Sequence, residues 1–199
     1  MAKTRAEMME VTRVKLIAAA RGAFARSGYA AASMDELTAS AGLTRGALHH
    51  NFVDKLGLLA AVVDEIDTAM AERAQAAGRA AGGGWRGLMA EGRTYIEMAL
   101  DPEVQRIVLL DGPAILGDPS RWPSQNRCLA VTMTGLNDLK IEGAIEDVDI
   151  EAAARLLTGA ALNAALWVAA SDDPEETLPK ATAVFERMAA GILAPGTLE

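Results

Sequence analysis

Residues 33–55, SMDELTASAGLTRGALHHNFVDK, carry two short helical patterns joined at a glycine. Ser33 and Glu36 have the spacing of a capping box, in which the hydroxyl takes the backbone N–H three residues on and the carboxylate reaches back. Met34, Leu37 and Ala41 then fall on one helical face. Gly42 stands where the chain must turn sharply, a position suited to positive φ. Thr44 caps a second helix whose Leu48 and Phe52 face inward at i and i+4, leaving Arg45, Gly46, His49 and His50 outside. Two short helices, a tight glycine turn and a polar outer face on the second make a helix-turn-helix, whose second helix enters the major groove of DNA. The stretch predicts a reader of double-stranded DNA.

The flanks extend the pattern. Residues 12–26 read as one amphipathic helix with Val14, Ile17, Ala18, Ala20, Phe24 and Ala25 near one side, stopped at Ser27-Gly28-Tyr29. Asp54 is placed to cap a further long helix through Lys55, Leu58, Leu59, Val62, Val63 and Ile66. The succession Ile17-Ala18-Ala19-Ala20, Phe24, Gly28-Tyr29, Ser33-Met34-Asp35, residues 41–48, Phe52, Lys55 and Leu58-Leu59 resembles the TetR family of bacterial transcriptional regulators. The match spans roughly the first third of the chain. It departs from the family pattern at His49, usually Tyr, at Asn51, usually an aromatic or His, and at Thr38, usually Ala and a core-packing position.

Charge is distributed in the sense that DNA binding needs. The net charge of −8 argues against nucleic acid when taken alone. Residues 1–60, however, hold eight Lys/Arg against five Asp/Glu, or +3, leaving eleven against twenty-two, or −11, in the remainder. A basic head on an acidic body lets phosphates approach one end only. Many alanines, few aromatics and no β-branched runs favour helices throughout. One cysteine, Cys128, excludes an internal disulfide and suits a reducing cytoplasm. The first nine residues are polar and mixed, unlike a secretory signal, and no apolar run approaches the roughly 18 residues of a membrane span. The nearest, residues 156–170, contains Thr158 and Asn163 and reads as a buried helix. A soluble cytoplasmic protein with no membrane partner is expected.

The expected fold is all-α with about nine helices: residues 1–54 as the helix-turn-helix domain, and residues 55–199 as a connecting helix plus a ligand-binding and dimerisation body. The glycine-rich stretch 76–84 should end the connecting helix. Further helices are expected over residues 85–100, from Asp101-Pro102-Glu103 until Gly112-Pro113 breaks or kinks the chain, from Ser124 to about Ile141, and after Asp149 and Asp173. Residues 152–170 are rich in Ala and Gly with Leu156, Leu157, Leu162, Leu166 and Trp167 interspersed, so this helix must be covered on several sides. It is either an ordinary buried helix or, as the resemblance favours, half of a four-helix interface between two copies, completed by residues 174–193. A two-fold homodimer would set two recognition helices about 34–36 Å apart on a palindromic operator.

Roles in the head follow from position and from the resemblance. Thr44 suits phosphate contact through its hydroxyl and backbone N–H. Arg45 is the candidate for a bidentate guanine contact, or else a phosphate anchor. Gly46 keeps the helix surface low, and His49 and His50 lie where family members contact bases and phosphates. The resemblance implies that Ser33 and Lys55 clamp phosphates; alternatively, Ser33 is a plain cap and Lys55 a solvated lysine. Lys3 and Arg5 lie on an N-terminal arm that reaches a minor groove or stays solvated.

No enzyme is expected. The two adjacent histidines diverge by about 100° on a helix and cannot share a metal, and no nucleophile motif, phosphate loop or metal-ligand spacing is present. No cofactor is expected either. A small-molecule pocket between the body helices is expected, with Trp85, Met89, Tyr95, Met98, Trp122, Met133 and Asn137 as candidate lining and a mainly apolar effector. The resemblance implies a repressor released when that effector swings the connecting helix. The alternative is a body serving only as a dimerisation or protein-partner module.

Overall fold

The computed structural model describes residues 4–197, and among them the chain is all-α, with nine α-helices. The head is α1 (Arg5–Ala31), α2 (Met34–Ser40) and α3 (Arg45–Asn51). The connector is α4 (Lys55–Ala80). The body is α5 (Gly84–Glu97), α6 (Gly112–Leu116), α7 (Pro123–Ile141), α8 (Ile150–Ala170) and α9 (Pro174–Ala189).

α1 begins seven residues before the expected start. Thr4 and Glu7 form a capping box there, with the Thr4 hydroxyl accepting from Glu7 N at 3.2 Å and Thr4 N donating to the Glu7 carboxylate at 2.6 Å. Arg5 therefore sits in an exposed first helical turn rather than on a loose arm, while Lys3 lies outside the described residues. The buried face runs through Leu16, Ile17, Ala20 and Phe24; Val14 and Ala18 point to solvent. Gly28, at φ 75°, interrupts the helix where the sequence placed its stop, and one more turn carries it to Ala31. The expected capping box of α2 does not close. Ser33 Oγ takes the nearer amide, Asp35 N at 3.3 Å, and Glu36 makes no return bond.

The 26-residue α4 is capped by Asp54, whose carboxylate accepts from Gly57 N at 2.7 Å. Its inner stripe, Leu58, Leu59, Val62, Val63, Ile66, Met70 and Ala74, is buried along the length from head to body. The glycines at 82 and 83, with φ of 93° and 71°, turn the chain into α5. α4 and α5 then approach closely: a Cβ built on Gly87 would stand 2.9 Å from the Gly78 carbonyl oxygen.

Residues 104–111 differ from expectation. Gly112-Pro113 does not break the chain, because a π-helical stretch, Val104–Asp111, precedes it and Gly112 N bonds the Ile107 carbonyl five residues back. The wider turn accommodates a proline that lacks an N–H and would crowd a regular α-helical turn. This stretch docks the head onto the body. Arg21 pairs with Glu103 at 2.5 Å and Glu65 at 3.2 Å, and Tyr29 N donates to Asp111 at 2.8 Å.

The outer face of α8 is exposed in the single chain, with Leu156 74% and Trp167 52% exposed, so α8 is not an ordinary helix buried within one copy. Val184 and Met188 on α9 are exposed as well. By length and composition α8 would suit a membrane span, but its other face packs through Ala154, Ala161, Ala165 and Val168 into the body.

The Gly87 contact yields a stability test. Gly87→Ala drives a methyl into backbone and should destabilise the fold by about 1–3 kcal/mol in urea unfolding. Gly135→Ala, on α7 with nothing within 4 Å of its Cβ, should hold or gain stability.

Candidate DNA-reading helix and body cavity

The turn between α2 and α3 is built by backbone bonds. Gly42, at φ 64°, lets Leu43 N reach the Thr38 carbonyl at 2.9 Å. Thr38 is buried, and its hydroxyl donates within α2 to the carbonyls of Met34 and Asp35. α3 is anchored by Leu48 and Phe52, both buried, while Thr44, Arg45, Gly46, His49 and His50 are exposed on the opposite side. Thr44 Oγ1 accepts from Ala47 N at 3.3 Å, which fixes the first turn. A Cβ on Gly46 would touch only Thr44 Oγ1, at 3.8 Å, so the glycine keeps this face low.

Two basic groups are pre-positioned by neighbours. Arg45 lies in a bidentate pair with Asp35 of α2, both N–O distances 2.7 Å, with the two side chains 68% and 63% exposed. An ion pair this exposed contributes about 0–1 kcal/mol and is readily exchanged for a better partner. Lys55 is half-buried, its ammonium 4.4 Å from the Tyr29 ring centroid and 3.4 Å from the Ala30 carbonyl. It is thus held at the junction of head and connector instead of lying free in solvent. Ser33 stands at the start of α2, half-buried.

A cavity of about 60 Å³ lies in the body between α4, α5, α7, α8 and α9. Of the seven expected lining residues it brings two together, Met89 and Tyr95. The others lie elsewhere. Met98 is in the core, Trp122 is packed on Gly112, and Trp85 and Met133 adjoin a second core cluster around Leu136; Asn137 faces solvent. A large or sulfur-bearing side chain suits a core as well as a pocket, so chemistry alone did not sort them.

Of the polar groups at the cavity only Tyr95 was expected. Tyr95 and Gln125 line it, and behind them sits Asp67 of α4, only 2% exposed. Gln125 Nε2 donates to both Asp67 oxygens, at 3.1 and 3.0 Å, and to Tyr95 Oη at 3.0 Å; Tyr95 Oη reaches Asp67 at 3.5 Å. Burial pushes the Asp67 carboxyl above its ordinary range, against the lowering effect of these hydrogen bonds. A readable signal existed: Asp67 falls on the apolar stripe Val63, Ile66, Met70, Ala74. Cys128 also lines the cavity, and burial pushes its thiol up to about 11, leaving it protonated and weakly nucleophilic at neutral pH.

Two family models match the chain: residues 16–62 fit the tetR family of bacterial regulatory proteins, and residues 85–192 the tetracyclin repressor-like C-terminal domain. A TetR-family transcriptional regulator from Pectobacterium atrosepticum is 46% identical with a TM-score of 0.88, over 96% of this chain and 98% of that one. A structure from Mesorhizobium loti shares the fold at 22% identity and TM-score 0.71, over 96% of this chain and all of its own. The HTH-type transcriptional regulator CymR of Pseudomonas putida is 39% identical over 74 residues, 37% of this chain and 36% of CymR, so that likeness spans about a third of either.

The buried carboxyl gives a pH signature. Between its ordinary value near 3.8 and the raised folded value, the folded chain binds more protons than the unfolded one, so stability falls as pH rises through that window. Asp67→Asn removes this loss. In urea unfolding the variant should exceed the parent in stability at about pH 7, and the difference should shrink toward about pH 4. Parallel pH slopes for parent and variant would contradict the assignment.

Proposed function

Because the chain belongs to the TetR family of bacterial transcriptional regulators, we propose that it is a dimeric repressor that reads a palindromic operator and is released by a small, largely apolar effector. The observation that carries this reading is that α4, which follows α3 after three residues, also forms one wall of the cavity through Ala71, Ala74 and Gln75. About 18 Å of helix separates Asp67 from Lys55. A ligand that tilts α4 at the cavity therefore displaces α3, provided it binds the tilted state better than the untilted one.

On the operator, Arg45 exchanges Asp35 for a guanine edge, and Thr44 with its neighbouring N–H groups takes a phosphate. His49 and His50 contact bases or phosphates further along the groove, with Gly46 allowing close approach. Ser33 and Lys55 clamp phosphates at the flanks. The exposed apolar faces of α8 and α9 supply the second requirement, a partner copy. Contiguous apolar residues exposed on adjacent helices mark an interaction surface, and a two-fold axis there pairs the two heads.

Two measurements bear on this. Arg45→Ala should cost about 1–3 kcal/mol of preference for specific over scrambled duplex in fluorescence anisotropy, using DNA that flanks the protein's own gene. Retention of full preference would remove Arg45 from base reading. By light scattering the parent should have the mass of a dimer at micromolar concentration, and the double change Leu156→Glu with Met188→Glu should shift it to monomer. A parent of monomer mass would overturn the two-fold reading.

A further inference from the structure

The walls of the cavity and of the cleft beside it share one electrostatic property. The cleft, about 420 Å³, shares Leu88, Glu91, Val131 and Thr132 with the cavity and extends outward past Asp138 and Glu142. Neither wall contains a lysine, arginine or histidine. Glu91 stands at the boundary of the two, half-buried. Its carboxylate is seated over Gly78 of α4, where a Cβ would come within 2.4 Å of Oε1. Among the described residues no cationic group lies within 4 Å of Glu91 or of Asp67; the exposed Arg79 guanidinium acts on Glu91 only from beyond that distance. Asp67 is satisfied by neutral donors alone, Gln125 and Tyr95.

Buried carboxylates are ordinarily paired, since desolvation without a counter-charge is costly. Here a graded acidic path runs from an exposed rim, through Glu91, to a fully buried aspartate, while Met89, Leu157 and Phe185 supply an apolar floor. We propose that the effector is an amphipathic cation: an apolar body that fills the floor, with a protonated amine that Glu91 pairs and the Tyr95–Gln125–Asp67 cluster backs. This deepens the effector reading above and rests on it. It also selects against anions, which would add like charge beside walls that carry no cation. Occupancy bears directly on α4, because Glu91 rests on Gly78 and Asp67 belongs to the same helix.

The test uses the full chain and three probes of one shape, benzylamine, benzyl alcohol and benzoate, titrated calorimetrically. Benzylamine should bind at least tenfold more tightly than the alcohol, with benzoate weakest. Glu91→Gln should bring benzylamine down to the level of the alcohol and leave the alcohol unchanged. Asp138→Asn, on the exposed rim, should weaken benzylamine about two- to threefold, an effect that fades as salt rises. Equal or tighter binding of the alcohol or benzoate, a preference that survives Glu91→Gln, or no benzylamine binding overturns the proposal. The two readings fail separately. Operator release by benzoate or the alcohol would discard the cation and keep the effector, whereas tight benzylamine binding with operator affinity unchanged would keep the cation site and discard its regulatory role.

Discussion

The structure depends on α4 being one unbroken helix buried at both ends. Its first turns, at Leu58, Leu59 and Val62, close the core of the head with Leu16, Phe24, Leu37 and Leu48. Its later turns, at Met70 and Ala74, pack against the body. No proline interrupts residues 55–80, and the glycines at 57 and 78 lie near its ends. Head and body therefore cannot shift independently without opening one of two packed surfaces, and closely packed interiors switch between arrangements more readily than they deform. The π-helical stretch adds a second tie through Arg21–Glu103 and Tyr29–Asp111. Such a linkage is what the proposed function requires: a site that senses and a surface that reads, joined by an element neither can bend alone.

The same helix carries the least comfortable group in the body. Asp67 sits on the otherwise apolar buried stripe, and three hydrogen bonds from neutral donors hold it without a cation within 4 Å. A methyl-bearing side chain would pack there at lower cost. A buried polar cluster beside a cavity is where function, more than folding, sets the residue. The head shows the opposite economy. Its buried positions are apolar apart from Thr38, whose hydroxyl is satisfied within its own helix, and its polar groups face outward.

Local signals made the head legible. Gly42, Thr44, Asp54 and the i, i+4 pair Leu48–Phe52 each specify a turn, a cap or a face within a few residues, and the structure has all of them. Errors arose where two local solutions compete. Ser33 could bond either of two amides and took the nearer; residues 4–7 held a cap that an arm-like composition obscured; and Gly112-Pro113 could break a helix or be absorbed by a wider turn. The body was legible as helices but not as a site. A cavity is formed by five helices far apart in sequence, so periodicity says which side of each is inward but not what it meets. Met89 and Tyr95 were found by chemistry, whereas Glu91, Gln125 and Cys128 look like ordinary polar positions until the helices are packed. Exposed Leu156 and Trp167 are the mirror case, since composition marks them as core and a lone chain leaves them outside.

Linkage offers the most direct test of the idea that α4 couples cavity and operator. If an effector in the cavity weakens DNA binding, DNA must by the same free energy oppose opening of the cavity. Cys128 lines that cavity and is the chain's single cysteine, which makes its alkylation rate a ligand-free report on access. With saturating operator duplex, alkylation of Cys128 by iodoacetamide should slow several-fold, and a scrambled duplex should leave it unchanged. Equal rates with operator, scrambled duplex and no DNA would contradict the coupling.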